Sequence, residues 1–224
     1  MPDAVKSTRS YESPRRRDQA ETTRQMILTA AQRRFEHDGY TATTIAAIAR
    51  EAGVSPKTVY LAFESKSGLL RAVWHLLLRG DAGETPMAER PFYEELLAEP
   101  DAGRQLTILA RNSRQVKERA GRLLSVIRSA ASVDPDSAAL WNRIQTEFYG
   151  MQPPIIESLR RKKALLRGLD PVRAADLLWT LNHPDVWLLL VHERGWTPAE
   201  WEAWFAETAR SQLLDPGYAS PPGA

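Results

Sequence analysis

The stretch TTIAAIAREAGVSPKTVYLAF, residues 43–63, encodes two short helices and the tight turn between them. Ile45, Ile48 and Ala49 recur at helical spacing and share one face. Gly53 stands where the first helix must end, because glycine takes the left-handed conformation without a Cβ penalty. Val54 can plug the turn. Ser55 supplies an N-cap oxygen, and Pro56 occupies the first helical position, where its missing N–H costs nothing. Val59 and Phe63, four apart, can face the core, which leaves Lys57, Thr58 and Tyr60 for the outer side. This is a helix-turn-helix, a unit that lays its second helix in the major groove of DNA.

Any helical protein contains helix pairs around a glycine, so the flanks matter. Upstream, residues 24–40 (RQMILTAAQRRFEHDGY) form an amphipathic pattern with Ile27, Ala30, Ala31 and Phe35 on one stripe and Gly39 as its stop. Downstream, Ser65 can cap a linking helix over 67–78 that carries Leu69, Leu70, Val73 and Leu77. One helix, a helix-turn-helix and a linking helix make a unit of the size a small DNA-binding domain needs.

The N-terminal eighty residues resemble the DNA-binding domain of TetR-family transcriptional regulators. The matching positions are Ile27-Leu28, Ala30-Ala31, Phe35, Gly39-Tyr40, Thr44, Ile48-Ala49, Ala52-Gly53-Val54-Ser55, Thr58-Val59-Tyr60, Phe63 and Ser65-Lys66. The resemblance implies a homodimer whose paired N-terminal domains read a palindromic operator. It also implies a variable helical C-terminal domain that dimerises and usually holds a small-molecule pocket. One position departs: Lys57 stands where many members have glycine, which adds a cation at the DNA-facing start of the recognition helix.

The expected DNA-binding residues are Thr44, Ser55, Pro56, Lys57, Thr58, Tyr60 and Lys66. Ser55 caps the recognition helix. Lys57 and Thr58 are placed for base edges or nearby phosphates, with Lys57 able to reach a guanine O6/N7 pair. Pro56 can touch a thymine methyl. By resemblance, Tyr60 directs its hydroxyl to a phosphate; the other use open to it is packing against the linking helix. Thr44 and Lys66, at the starts of their helices, read as backbone clamps. Charge agrees in direction. Residues 1–80 hold 13 Lys+Arg against 8 Asp+Glu, a net +5, and residues 81–224 hold 17 against 20, a net −3.

The fold expected is all-α: an N-terminal three-helix DNA-binding domain with a helix-turn-helix, plus a C-terminal helical ligand-binding and dimerisation domain. Residues 1–20 read as a disordered basic arm, in which Arg15-Arg16-Arg17 either follow a phosphate track or are simply solvated. Residues 21–80 form the DNA-binding domain with its linking helix, 81–215 the effector-binding and dimerisation domain, and 216–224 a flexible tail. Cap-then-proline pairs at Ser55-Pro56, Asp134-Pro135, Asp170-Pro171 and Thr197-Pro198 mark helix starts, the last within a capping box closed by Glu200. After an irregular stretch from Gly80 to Pro100 with a short helix at 92–98, helices are expected at 103–119, 121–132, 135–150, 154–166, 172–192 and 198–214. Pro153-Pro154 must kink or break whatever helix contains them.

Trp201, Trp204, Phe205, Thr208, Ala209 and Leu213 form one stripe, and residues 172–192 are apolar nearly all round. These two helices are therefore the expected homodimer interface, as an intersubunit four-helix bundle; a wholly intramolecular core is the competing arrangement. Effector contacts are expected from Arg114, Trp141, Phe148, Trp179, Asn182 and His183, with Arg111 and Tyr149 nearby in the pattern. Asn182-His183-Pro184-Asp185 sets polar groups inside an apolar helix, where they need partners.

No catalytic constellation stands out, and His183, Asp185 and His192 fit one helical face poorly for metal binding, so no enzyme, cofactor or metal site is expected. With no cysteine, no secretion signal and no apolar run of about 18 residues, a cytoplasmic, nucleoid-associated protein without membrane contact is expected. The function implied is a ligand-responsive regulator, a repressor in the family's usual mode. It would bind a double-stranded palindromic operator as a homodimer and be released by an unidentified small-molecule effector. The alternative is a DNA-binding regulator with no effector, controlled by concentration or a partner protein.

Overall fold

The helix-turn-helix is formed as its cap signals dictate, within a computed structural model that describes residues 14–79 and 91–221, except for the side chains of residues 14–16 and 79. Expectations for residues 1–13, 80–90 and 222–224, which include most of the basic arm and of the irregular connection, lie outside the described residues. The helices are α1 (Pro14–Ala42), α2 (Ile45–Glu51), α3 (Pro56–Phe63), α4 (Lys66–Arg79), α5 (Pro91–Ala98), α6 (Ala102–Ala130), α7 (Pro135–Gly150), α8 (Gln152–Arg161), α9 (Pro171–Leu181), α10 (Pro184–Trp187) and α11 (Pro198–Leu213). A π-helical turn, Leu188–Glu193, follows α10. Among the described residues there is no strand, only a lone bridge between Leu165 and Leu214. The all-α class is thereby met.

Side-chain caps start the helices where the sequence places them. Thr44, Ser55, Asp101, Asp134 and Asp170 each accept a backbone N–H at the start of α2, α3, α6, α7 and α9. Thr197 and Glu200 close a full capping box on α11. Four expectations are corrected. Residues 14–20, assigned to the disordered arm, are helical, because α1 begins at Pro14 in the same Ser-Pro order that opens α3. The two helices expected at 103–119 and 121–132 are one. Gly121 does not stop α6; it lets the helix approach Trp187, whose Nε1 would lie 3.2 Å from a Cβ at that position.

The helix expected over 172–192 is interrupted. Asn182 caps the C-terminus of α9, and His183 begins α10 by accepting the Asp185 N–H through Nδ1 at 3.2 Å. Pro184 supplies the physical reason, since it cannot donate to the α9 ladder. Finally, Tyr218, placed in the flexible tail, is tied to the start of α6: its hydroxyl accepts from the Ala102 N–H at 3.2 Å and donates to Asp101 Oδ2 at 3.4 Å. At the double proline α7 and α8 join through Met151, whose backbone stays right-handed helical, so the chain bends without a loop. Pro153 and Pro154 fall in the first turn of α8, where no N–H is missed, and the Gln152 side-chain amide donates to Phe148 O at 2.8 Å.

Two cores result, with α6 running through both. The first joins Ile27, Phe35, Ile48, Val59, Phe63, Leu69 and Val73 of the N-terminal helices to Leu123, Ile127, Leu140 and Ile144 of α6 and α7. The second packs Leu96, Leu106, Ile155, Leu178, Trp187, Trp201 and Phe205. Trp201 stacks on Phe205 with centroids 5.2 Å apart and meets Trp187 edge-on at 5.1 Å. The reading unit therefore shares its core with residues beyond 80, and a boundary at 80/81 does not divide the packing.

Candidate nucleic-acid interface and the cavity behind it

The turn between α2 and α3 is closed by backbone alone. Gly53, at φ 68°, donates to Arg50 O, and Val54 donates to Ala49 O at 2.9 Å, a Schellman stop. Ser55 Oγ accepts the Thr58 N–H at 3.1 Å and also pairs with Thr58 Oγ1 at 2.8 Å. Val59 and Phe63 are buried, as the spacing requires.

On the outer face Thr44, Ser55, Pro56, Lys57 and Tyr60 are exposed and Thr58 is half-buried. Tyr60 is 53% exposed, so its ring is not packed away against the linking helix. Leu61 beside it is 77% exposed, an apolar side chain left facing solvent next to the reading face. Two residues the sequence pattern gave no role tie the helix-turn-helix to α1. Arg24 of α1 donates to Ala62 O at 3.2 Å and stands over the Phe63 ring at 4.4 Å. Arg34 bridges to Glu51 at 2.5 Å and to Asp38, tying α1 to α2.

Lys66 is placed differently from the expectation. Its ammonium donates to Tyr40 O at 2.9 Å and Thr43 O at 3.0 Å, and lies 4.2 Å from the Tyr40 ring centroid. It secures the corner after α1 rather than projecting as a phosphate clamp, and burial holds it below the ordinary lysine value. The same corner is latched to the C-terminal helices. The Tyr40 hydroxyl donates to Asp134 Oδ2 at 3.0 Å, and Ser67 donates to Asp136 Oδ2 at 3.2 Å. Asp134 is also the N-cap of α7, so α7 begins on the DNA-binding unit itself.

Behind α4 lies a cavity of about 60 Å³ lined by Trp74, Leu78, Val116, Lys117, Leu124, Ile144, Gln145, Glu147, Phe148 and Pro184. Lys117 is the residue the sequence pattern should have flagged. Its neighbours on α6 at positions 106, 110, 113, 120 and 124 are apolar or small and buried, so a lysine falls on the inward stripe. Its Nζ donates to Asn182 Oδ1 at 2.6 Å and lies 4.7 Å from the Trp201 ring. Burial pushes the amine down to about 7.

Of the expected effector residues, Phe148 lines this cavity and Asn182 is bound to its lysine. His183 stands beside it, paired with Gln145 at 3.0 Å and edge-on to Trp179 at 4.9 Å. Burial lowers the His183 imidazole below its usual value. Trp179 and Trp141 pack outside the lining, the former against Tyr149. Arg114 is held by Glu202 at 2.5 Å and Glu118 at 2.8 Å, away from the lining. Tyr149 is likewise engaged, donating to Asp176 at 3.0 Å. Among the described residues no cluster of histidines and carboxylates could hold a metal, and no helix is long and apolar enough to cross a membrane.

The family model described as bacterial regulatory proteins, tetR family, matches residues 27–73. Over 60 residues the chain is 38% identical to the HTH-type transcriptional regulator AcrR of Shigella flexneri, a match spanning 27% of this chain and 28% of that protein. The fold extends further than the sequence likeness. NalD, the secondary repressor of the MexAB-OprM multidrug efflux pump in Pseudomonas aeruginosa, superposes with a TM-score of 0.67 at 20% identity, covering 90% of this chain and all of NalD. SmeT of Stenotrophomonas maltophilia, in its triclosan complex, gives a TM-score of 0.68 at 18% identity over 91% of this chain and 96% of its own. Residues 27–73 are thus similar to the regulatory proteins of the tetR family, and over the rest of the chain the likeness to NalD and SmeT is one of fold.

Proposed function

We propose that the chain is a ligand-responsive repressor that binds a palindromic DNA operator as a homodimer and is released by a small molecule. The observation that carries the ligand response is the double duty of α4. Its first residue, Lys66, is separated from the recognition helix only by Glu64 and Ser65, while Trp74 and Leu78 near its end line the cavity. A molecule that moves those two residues moves α4, and with it the spacing of two reading heads. Repression fits the structural neighbours, since NalD is the secondary repressor of one efflux pump and SmeT the repressor of another. For release, the effector must favour the DNA-incompetent arrangement by about 1–3 kcal/mol, and operator DNA must then weaken effector binding by the same factor.

Lys57 and Tyr60 are the residues best placed to meet DNA, with Thr44, Pro56 and Thr58 around them and Ser55 as the cap that aims them. Paired heads at about 34–36 Å would engage successive turns of one groove. The measurement is a gel-shift titration against a fragment recovered by genome-wide selection with the purified protein. Lys57→Ala is expected to weaken specific binding by about 1–3 kcal/mol. Unchanged affinity would remove Lys57 from the interface.

For the homodimer, α9 and the segment after it present Val172, Leu177 and Leu189 to solvent at 62%, 37% and 50%. Trp204 and Thr208 of α11 are half-buried. Part of the stripe expected at the interface is used internally: Trp201, Phe205, Ala209 and Leu213 are buried within the chain's own core. What remains outside is the surface proposed for a second copy. Light scattering on the purified chain should give twice the 25.2 kDa of one copy; a monomer at micromolar concentration would overturn the dimer.

A further inference from the structure

We infer that the cavity behind α4 receives an amphipathic organic anion, a carboxylate or phenolate with an apolar body, and that Lys117 is the cation that meets its acidic group. This rests on the effector-controlled reading above and names the chemical class of its effector.

Three observations carry it. Lys117 projects from the middle of α6 into the protein and is 5% exposed. Its one hydrogen-bond partner among the described residues is the neutral amide of Asn182, and the Trp201 and Phe148 rings lie 4.7 and 5.8 Å from Nζ. Among the described residues no carboxylate lies within ion-pair distance of it. The charged and titratable groups around it are accounted for otherwise: Glu147 of α7 is exposed, Asp185 of α10 is paired with Arg128 of α6, and His183 is bound to Gln145. A buried ammonium with an uncharged partner is costly, and an arriving anion is the group that offsets the cost.

Secondly, most of the remaining wall is apolar: Trp74, Leu78, Val116, Leu124 and Ile144 offer a body-binding surface, and the carboxylate on the lining, Glu147, is exposed to solvent and makes no ion pair with Lys117 among the described residues. A cationic ligand would meet the lysine as a like charge, and a neutral one would leave it unpaired. Gln145, on the same lining, keeps a buried Oε1 with no hydrogen-bond partner, so a donor on the ligand would also be accepted. Thirdly, the wall at Pro184 is the least regular backbone nearby. It belongs to a four-residue helix set between the broken end of α9 and a π-helical turn. A cavity of about 60 Å³ must widen for a ligand, and this wall can shift without unravelling a long helix.

Binding an anion favours the charged amine, whose value in the ligand-free protein burial depresses to about 7. Below that value the lysine is already protonated and affinity is at its maximum. Above it each complex takes up one proton, and affinity falls about tenfold per pH unit until the amine of the complex itself titrates.

The test is calorimetry on the full chain with straight-chain carboxylates from butanoate to dodecanoate, against alcohols and trimethylammonium ions of the same lengths. We expect carboxylates to bind at least tenfold more tightly than either, with uptake of close to one proton at pH 8 read from buffers of different ionisation enthalpy. Lys117→Met should abolish both the preference and the proton uptake. If that variant fails to fold, the proton uptake of the unaltered chain decides. Equal binding by alcohols, binding without proton uptake, or no carboxylate binding at all overturns the assignment. A gel-shift on the selected operator separates this from the broader reading. Release by a neutral or cationic molecule with no acid effect sinks the Lys117 assignment alone. Acid binding with proton uptake that leaves operator affinity unmoved sinks effector control and leaves the anion site standing.

Discussion

Gly68→Ala is expected to destabilise the chain by about 3 kcal/mol and to abolish sequence-specific DNA binding. A Cβ on Gly68 would lie 2.2 Å from the carbonyl oxygen of Phe63, the last residue of α3. That oxygen is backbone, so no side-chain rotation relieves the clash; either α3 or the start of α4 must move. The turn between them has little slack. Glu64 is already left-handed at φ 65°, its N–H bound to Tyr60 O at 2.8 Å, and Ser65 Oγ accepts the Gly68 N–H at 2.9 Å. Displacing α3 also disturbs the Arg24 contact that seats Phe63. Urea denaturation followed by circular dichroism reads the stability, and gel-shift reads the function. Gly150→Ala is the control, because nothing lies within 4 Å of the added carbon and alanine favours the helix. A Gly68→Ala protein with unaltered midpoint and operator affinity would refute the close approach.

Raising the pH from about 7 to about 10 is expected to stabilise the chain, by an amount on the order of 4–5 kcal/mol at most from Lys117. The sign follows from burial. The folded protein holds this amine at about 7 against an ordinary 10.5, so the unfolded chain binds more protons across the interval. The penalty is complete below pH 7 and fades as the pH approaches the value of the unfolded lysine. Lys66 and Lys162, also lowered by burial, act in the same direction. Tyr93 acts oppositely, its phenol pushed up to about 12 by burial, so it withdraws stability only above about pH 10, where an unfolded tyrosine ionises. His183 is lowered and stays neutral throughout. Comparison with Lys117→Met isolates the effect. Losing the donor to Asn182 offsets that variant by a constant, but its slope between pH 7 and 10 should be nearly flat. Parallel slopes for the two proteins would show that the amine is not held neutral.

These two residues bracket the proposed signal path. Gly68 opens α4 against the recognition helix, and Lys117 lies with Trp74 and Leu78 at its other end. A second connection runs through α7, whose Ile144, Gln145 and Phe148 line the cavity while its cap, Asp134, holds Tyr40 of the DNA-binding unit. Both elements are rigid helices, so a shift at the cavity arrives at the corner after α1 as displacement rather than being absorbed in a loop.

The reading unit was legible because its signals are local. The Gly53 stop, the Ser55 cap, Pro56 in the first turn and the buried Val59 and Phe63 need only their own neighbours in the chain, and each is satisfied within a few residues. The same is true of the capping box on α11. The errors share the opposite character. Gly121 carries a helix-breaking residue type, yet α6 continues because Trp187 approaches from 66 residues away in sequence and needs the missing Cβ. Lys66 has the residue type of a phosphate clamp, but the carbonyls of Tyr40 and Thr43 capture its ammonium. The apolar stripe of α11 is the same for an internal or an external partner, and α6 decided that Trp201 and Phe205 face inward.

By itself, then, the sequence determined an all-α chain with a helix-turn-helix at residues 43–63, since periodicity, caps and turn residues act over one or two helical turns. Only the tertiary structure decided where charge is buried. A lysine on a helix costs nothing until a second helix covers it, and Asn182, Trp201 and Phe148, which cover Lys117, come from three elements far along the chain.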